Sequence, residues 1–262
     1  MNYKYKLGFI GCGNMAKAII NGLLASKLLT EKDMFISTPS MKEKYCNIEF
    51  SNNNSDIISS CEYVVLAVKP QIFKSIVSEF KNNIAKCMIS IMAGVSCKTI
   101  FDATNCNEIV RIMPNTPCSI GEGVSAITSF NANEESINFV ENIFKTISKT
   151  IFVEEKYFDA VTSVSGSGPA YVYYFIKAMI DGGVKGGLNY EQSKALAIST
   201  FIGASKMVEQ SSENIDTLIQ NVCSKGGTTI QAIETFEKNN ISSGIVLGIE
   251  NCRKRSEELS KL

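Results

Sequence analysis

Seven short stretches of this chain, in four groups, carry residue types and spacings that suit chemistry. The first is Leu7-Gly8-Phe9-Ile10-Gly11-Cys12-Gly13-Asn14-Met15-Ala16, which leaves an apolar run and enters a helical pattern. Gly11, Gly13 and Ala16 fit Gly-x-Gly-x-x-Gly/Ala. In that pattern the first glycine makes a tight turn and the second lets a pyrophosphate approach the backbone. The small third residue lets the helix pack on the strand. The helix N-terminus then faces the phosphates. A strand before and a helix after predict a dinucleotide site; without a ligand the same residues form only a tight strand–helix turn.

The second stretch, Phe35-Ile36-Ser37-Thr38-Pro39-Ser40-Met41-Lys42, ends the next predicted strand. NAD sites usually place an Asp or Glu there for the ribose 2′-hydroxyl. Here there are hydroxyls and a lysine, so a 2′-phosphate is tolerated and Ser37 and Thr38 can bond it. The reading favours NADP(H) over NAD(H). The third is a set of strand ends: Leu66-Ala67-Val68-Lys69-Pro70-Gln71, Ile91-Met92-Ala93-Gly94-Val95 and Arg111-Ile112-Met113-Pro114-Asn115-Thr116-Pro117. Ligands of open α/β sheets bind at the carboxyl ends of strands. Each end alone reads equally well as an ordinary loop; the three together predict a nicotinamide cleft.

The fourth comprises two turns in the second half. Ser165-Gly166-Ser167-Gly168-Pro169 precedes a helix and reads either as a cap with proline in the first turn or as glycines that allow tight helix crossing. Lys225-Gly226-Gly227-Thr228-Thr229 opens another helix. Its backbone N–H groups and hydroxyls suit a carboxylate, though a plain helix–helix turn has the same composition. The chain has no histidine, so no imidazole can serve as acid, base or metal ligand.

The elements that position these residues change character near residue 155. Before it, short apolar strand candidates at 6–10, 34–37, 63–68, 88–92, 109–113 and 124–128 alternate with helix candidates at 14–26, 71–82 and 133–148. Near-continuous apolar strands belong to a sheet covered on both faces, and the alternation predicts a doubly wound, mostly parallel α/β domain. After it, helical periodicity runs over 158–187, with glycines interrupting, and over 190–210, 214–222, 228–239 and 243–261. An α/β domain over 1–155 and an all-helical domain over 156–262 are expected.

Composition narrows the class. The formal net charge is zero, which removes any electrostatic case for nucleic acid or an anionic membrane. The basic run Arg253-Lys254-Arg255 lies among glutamates and reads as a solvated helix face. Nine cysteines without a Cys-x-x-Cys pair predict buried, reduced thiols, no metal site and a reducing, cytoplasmic setting. The start Met-Asn-Tyr-Lys-Tyr-Lys reads as carrying no signal peptide, and no apolar run is long enough to span a membrane.

Taken in order, Leu-Gly-Phe-Ile-Gly-Cys-Gly-Asn-Met-Ala, Ala-Val-Lys-Pro, Arg-Ile-Met-Pro-Asn-Thr-Pro, Ser-Gly-Ser-Gly-Pro-Ala-Tyr and Gly-Gly-Thr-Thr span nearly the whole chain. This series resembles the pyrroline-5-carboxylate reductases. The resemblance implies an N-terminal Rossmann domain and a helical C-terminal domain that interlocks in a homodimer, with larger rings, often decamers, known in the family. It implies NAD(P)H-dependent reduction of 1-pyrroline-5-carboxylate to L-proline, the last step of proline synthesis. By matching motifs, Gly11, Gly13, Asn14, Met15 and Ala16 hold the pyrophosphate. Ser37 and Thr38 meet the 2′-phosphate, and Asn54 lies near the adenine ribose. Ala67, Lys69, Pro70, Ala93 and Gly94 line the nicotinamide end with Asn115 nearby. Ser224, Gly226, Gly227, Thr228 and Thr229 bind the substrate carboxylate.

Two departures follow from the same comparison. Lys225 stands where the family usually has proline, which loosens the turn and adds a charge. Tyr174 stands where some relatives carry a threonine proposed as proton donor, so Tyr174 or a water becomes the candidate for any proton transfer. Two other functions fit parts of the pattern. A related NADP-dependent imine or β-hydroxyacid oxidoreductase could use Lys177 or Lys185, but does not need the Gly-Gly-Thr-Thr turn. A non-catalytic NADP-binding sensor needs only the first turn.

Overall fold

The computed structural model describes residues 3–39, 43–82 and 85–260. Contacts divide the chain into two compact units. One holds the residues up to Ser167 together with those from Cys252 onward; the other is Gly168–Asn251.

The first unit contains β1 (Tyr5–Ile10), α1 (Asn14–Ser26), β2 (Met34–Ser37), β3 (Glu49–Ser51), α2 (Asn54–Ile58), β4 (Cys61–Leu66) and α3 (Pro70–Ile76). Then come β5 (Cys87–Ser90), α4 (Cys97–Thr104), β6 (Glu108–Pro114), β7 (Gly123–Phe130), α5 (Glu134–Lys145), β8 (Ser148–Phe152) and α6 (Phe158–Val161). The eight strands form one sheet in the order β3-β2-β1-β4-β5-β6-β7-β8. Every neighbouring pair is parallel except β6 and β7, where Ile112 lies opposite Ile127 in an antiparallel register.

Strand side chains point alternately to the two faces, and both faces are covered. Leu7, Phe9, Tyr63 and Val65 pack with Ile19, Ile20 and Leu23 of α1 and Val140, Ile143 and Phe144 of α5. Ile10, Val64, Leu66 and Met88 pack on the other face with Ile57, Phe73 and Ile100. This is why the strands read as unbroken apolar runs. Each such side chain contributes about 1.5–3 kcal/mol when fully buried.

The expected doubly wound, mostly parallel sheet is therefore present, with differences at its margins. The helix predicted over 133–148 ends at Lys145, and the chain returns as edge strand β8 beside β7. The helix predicted over 71–82 is α-helical only to Ile76 and continues as a 3₁₀ turn, Val77–Asn82. The unpredicted β3, α2 and α4 are all short. The change between units falls at 167/168, where the sequence reading places it at 155/156. Phe158 explains the offset: it is buried in the first unit under the Arg111 guanidinium, whose central carbon lies 4.6 Å from the ring centroid.

The second unit contains α7 (Gly168–Lys185), α8 (Tyr190–Gln210), α9 (Ile215–Val222), α10 (Thr228–Lys238) and the first part of α11 (Ile241–Leu259). The segment predicted over 158–187 is broken by a π-helical turn, Thr162–Gly166, before α7 begins. Helices α7 and α8 cross closely: a methyl group on Gly183 would come within 2.5 Å of Ser193 Oγ. Asn189 and Gln192 form a reciprocal capping box at the start of α8. The helix predicted over 243–261 starts two residues earlier, and Lys261 lies outside the described residues. Among the described residues no helix is long and apolar enough to cross a membrane.

Candidate active site

The sheet order reverses around β1, whose two neighbours are β2 and β4. Open α/β sheets bind ligands at such a switch point. Gly11 sits there with φ +96°, a conformation that favours glycine. Its amide donates to the Ser37 carbonyl at 2.7 Å, and the Ala67 amide donates to the Ile10 carbonyl at 2.9 Å. A methyl group on Gly11 would come 2.6 Å from the Ala67 carbonyl oxygen. No larger residue fits.

Gly13 differs. It caps α1 with no side-chain hydrogen bond, and a methyl group there would have nothing within 4 Å. The first amides of a 13-residue helix thus open onto free space. Ala16 is buried where α1 meets the sheet, Asn14 is exposed at the opening, and Met15 packs on the core. The tight turn, the open glycine and the uncapped helix start together fit a pyrophosphate.

At the end of β2, Ser37 is fully buried and its hydroxyl donates to Asn54 Oδ1 at 2.7 Å. The Thr38 amide donates to the Ser51 carbonyl at 3.2 Å. The structure therefore joins the two groups that the sequence assigned to the adenosine end, and β2 ends on hydroxyls rather than on a carboxylate. Ser40, Met41 and Lys42 of the same stretch lie outside the described residues.

The other strand ends have distinct roles. Lys69 is exposed and caps α3, with Pro70 in the first helical position; Ala67 is half-buried above the Gly11 turn. Ala93 is exposed, and Gly94 has φ +73°. Asn115 is spent on structure: Oδ1 accepts from the Val124 amide at 3.0 Å, and Nδ2 donates to the Ser165 carbonyl at 3.3 Å.

The loop carrying Ala93 and Gly94 is followed by α4, whose start is fixed by Glu155, a residue that the sequence did not single out. Glu155 Oε1 accepts from the Cys97 amide at 2.7 Å and pairs with Arg111 Nη1 at 2.9 Å. A carboxylate at the first turn of α4 is favourable. Glu155 lies 44 and 58 residues from these partners, so no local pattern reveals it.

In the second unit, Ser224–Gly227 forms a turn. Gly227 N–H donates to the Ser224 carbonyl at 2.9 Å, and Gly226 has φ +73°. Lys225 is not among the positive-φ residues, so the turn has the type II sign pattern. Proline is favoured at the position Lys225 occupies, and the turn forms without it. Gly227 caps α10 with no side-chain bond, which leaves the amides of Thr228 and Thr229 and two hydroxyls at an open helix start. Tyr174 lies on α7, 73% exposed, its ring edge-on to Phe175 at 6.2 Å.

The cysteines are all free thiols. Burial pushes Cys61 and Cys97 up to about 12, so both stay protonated. Among the described residues no group of His, Cys, Asp and Glu could hold a metal ion.

Residues 155–259 match the family model described as pyrroline-5-carboxylate reductase dimerisation. Residues 6–94 match the model described as NADP oxidoreductase, coenzyme F420-dependent. The chain is 37% identical to the pyrroline-5-carboxylate reductase of Glycine max, covering 98% of this chain and 96% of that one. It is 34% identical to that of Escherichia coli K12, covering 98% of both. The crystal structure of Plasmodium falciparum pyrroline carboxylate reductase with NADP bound superposes with a TM-score of 0.90 at 33% identity, covering 99% of this chain and 100% of that one. A reductive aminase from Aspergillus terreus, at 10% identity and a TM-score of 0.57, shares the fold alone. Full-length identity above 30% with several such enzymes makes this chain a member of the pyrroline-5-carboxylate reductase family.

Proposed function

We propose that this enzyme reduces 1-pyrroline-5-carboxylate to L-proline with NADPH, with the residues identified above in specific roles. The carrying observation is the switch-point geometry: Gly11 closed against Ala67, Gly13 open, and α1 uncapped. Gly11, Gly13, Asn14, Met15 and Ala16 hold the pyrophosphate. Ser37, Thr38 and Asn54 hold the adenosine end, where a site without a carboxylate accepts a 2′-phosphate. Ala67, Lys69, Pro70, Ala93 and Gly94 line the nicotinamide end. Asn115 supports that wall through its backbone contacts.

When bound, the cofactor supplies a hydride to the carbon of the cyclic C=N bond. The ring nitrogen takes the former π electron pair and one proton, giving the secondary amine. A chain without histidine has no imidazole for this, and a substrate that arrives as its iminium needs none. The residues therefore mainly bind and orient. Ser224, Gly226, Gly227, Thr228 and Thr229 bind the substrate carboxylate at the open start of α10. Tyr174 or a water delivers the proton when the substrate is not already protonated.

Among its hydrophobic side chains, the second unit buries only Ile180 and Ala197 of those described, while Val172, Leu196, Ile202 and Val246 are exposed. An interlocked homodimer, able to build larger rings, would cover this surface. Free thiols throughout fit a reducing cytoplasm. The test is NADPH oxidation with pyrroline-5-carboxylate, with L-proline measured as product. Binding of NADPH without turnover of any cyclic imine would overturn the reading.

A further inference from the structure

The last turns of α11 lie on the first unit, far in sequence from what they touch. Ser256 is buried and donates to Asp159 Oδ1 at 2.6 Å, a short bond to a carboxylate. The single Ser260 hydroxyl proton is shared between the Ser256 carbonyl at 2.9 Å and, more weakly, the same Asp159 oxygen at 3.4 Å. One turn earlier, the Cys252 thiol meets Ser167 Oγ at 3.3 Å. Asp159 thus ties down the final turn of the helix.

That turn ends against the loop after β5. A methyl group on Gly94 would come 3.3 Å from Ser260 Oγ and 3.4 Å from Ser260 Cα. Below the contact lies a cavity of about 310 Å³ bordered by Gly94, Arg111, Asp159 and Ser260. The loop is therefore held on two sides: Glu155 fixes the Cys97 amide, and Ser260 backs Gly94.

We propose that Asp159, Ser256 and Ser260 form a clasp that positions the Ala93-Gly94 loop, making them positioning residues for the nicotinamide end of the site. This rests on the reading that Ala93 and Gly94 line that end. Reacting atoms tolerate little displacement: a misplacement of about 1 Å can cost about a hundredfold in rate. The clasp supplies precision that a loop over a cavity lacks.

The experiment compares two ligands on the full-length enzyme. NADPH reaches the nicotinamide end; 2′,5′-ADP carries only the adenosine end. Asp159→Ala removes the shared acceptor, and the milder Ser256→Ala/Ser260→Ala pair serves if Asp159→Ala folds poorly. The clasp predicts NADPH binding weakened about three- to tenfold, with 2′,5′-ADP binding unchanged within about twofold. Asp159→Asn, which keeps an oxygen acceptor, returns NADPH affinity close to that of the parent. Equal loss for both ligands, or no loss for either, overturns the clasp. A parent that binds both ligands but leaves pyrroline-5-carboxylate unreduced sinks the proposed function and leaves this comparison standing. A parent that binds neither sinks both.

Discussion

The two units solve the problem of burying apolar surface differently. The first hides its strands on both sides: Leu7, Phe9, Val65, Ile89 and Ile112 are completely covered within one copy of the chain. The second lays five helical segments together and leaves Leu196, Ile202, Val246 and Leu247 more than half exposed. A helix that is apolar beyond one stripe requires cover on the remaining faces. The dimerisation model matches this part of the chain. The first unit closes most of its apolar surface within one copy of the chain, and the helical unit leaves much of its own exposed. A second apolar patch continues the theme where the match begins. Ile151, Tyr157 and Val164 line an open groove of about 320 Å³ beside Val124 and Ala126.

The contrast breaks most sharply under charge. Leu196→Glu or Val246→Glu should dissociate the oligomer and abolish activity, because a two-fold interface meets each substitution twice and leaves an unpaired charge to bury. Leu28→Glu on the first unit, also exposed, should change stability by less than about 0.5 kcal/mol. Sedimentation velocity and melting temperatures check both. Equal behaviour of the three variants would erase the distinction between the units.

Within the first unit, Gly11→Ala should raise the Kd for NADPH at least about tenfold while leaving the oligomer intact, since strain at positive φ costs about 1–3 kcal/mol before the Ala67 clash is counted. Calorimetric titration reads it. Ser37→Asp should cost somewhat less, weakening NADPH about tenfold through repulsion of the 2′-phosphate and shifting preference toward NADH. The ratio of kcat/KM for the two cofactors measures that shift.

In the helical unit, Thr228→Val should raise KM for pyrroline-5-carboxylate about tenfold with kcat little changed, the expected loss of one hydrogen bond to a charged group. The smallest effect belongs to Tyr174→Phe. It should lower kcat a few-fold, about threefold, and only at alkaline pH, where the substrate no longer arrives protonated. A kcat unchanged at every pH assigns the proton to water.

The same division governs what the sequence made legible. The central strands announce themselves because parallel strands covered on both faces are apolar throughout. The Gly11–Ala16 turn is legible because its signature residues fall within six consecutive positions, although the partners that hold Gly11, Ser37 and Ala67, lie far along the chain. Strands β3 and β8 are short edge strands held by pairing on one side, and Ser148-Lys149-Thr150 continues the helical pattern of α5 without a break. The reversal at β7 has no local signature, since antiparallel and parallel strands share the same side-chain period. Ser37, Asn54 and the Gly226 turn are marked by motif position, without the bond between Ser37 and Asn54, whereas the Glu155 contacts and the Asp159 clasp join residues 44 to 101 apart. Asn115 shows the limit from the other side: its motif marked it, yet its side chain serves the backbone of β7 and the π turn.

The most direct test of the account follows the hydride. With NADPH deuterated at the transferring position, the enzyme and pyrroline-5-carboxylate should yield L-proline carrying one deuterium, on the ring carbon that was doubly bonded to nitrogen. Proline without the label, or no proline with either NADPH or NADH, would contradict it.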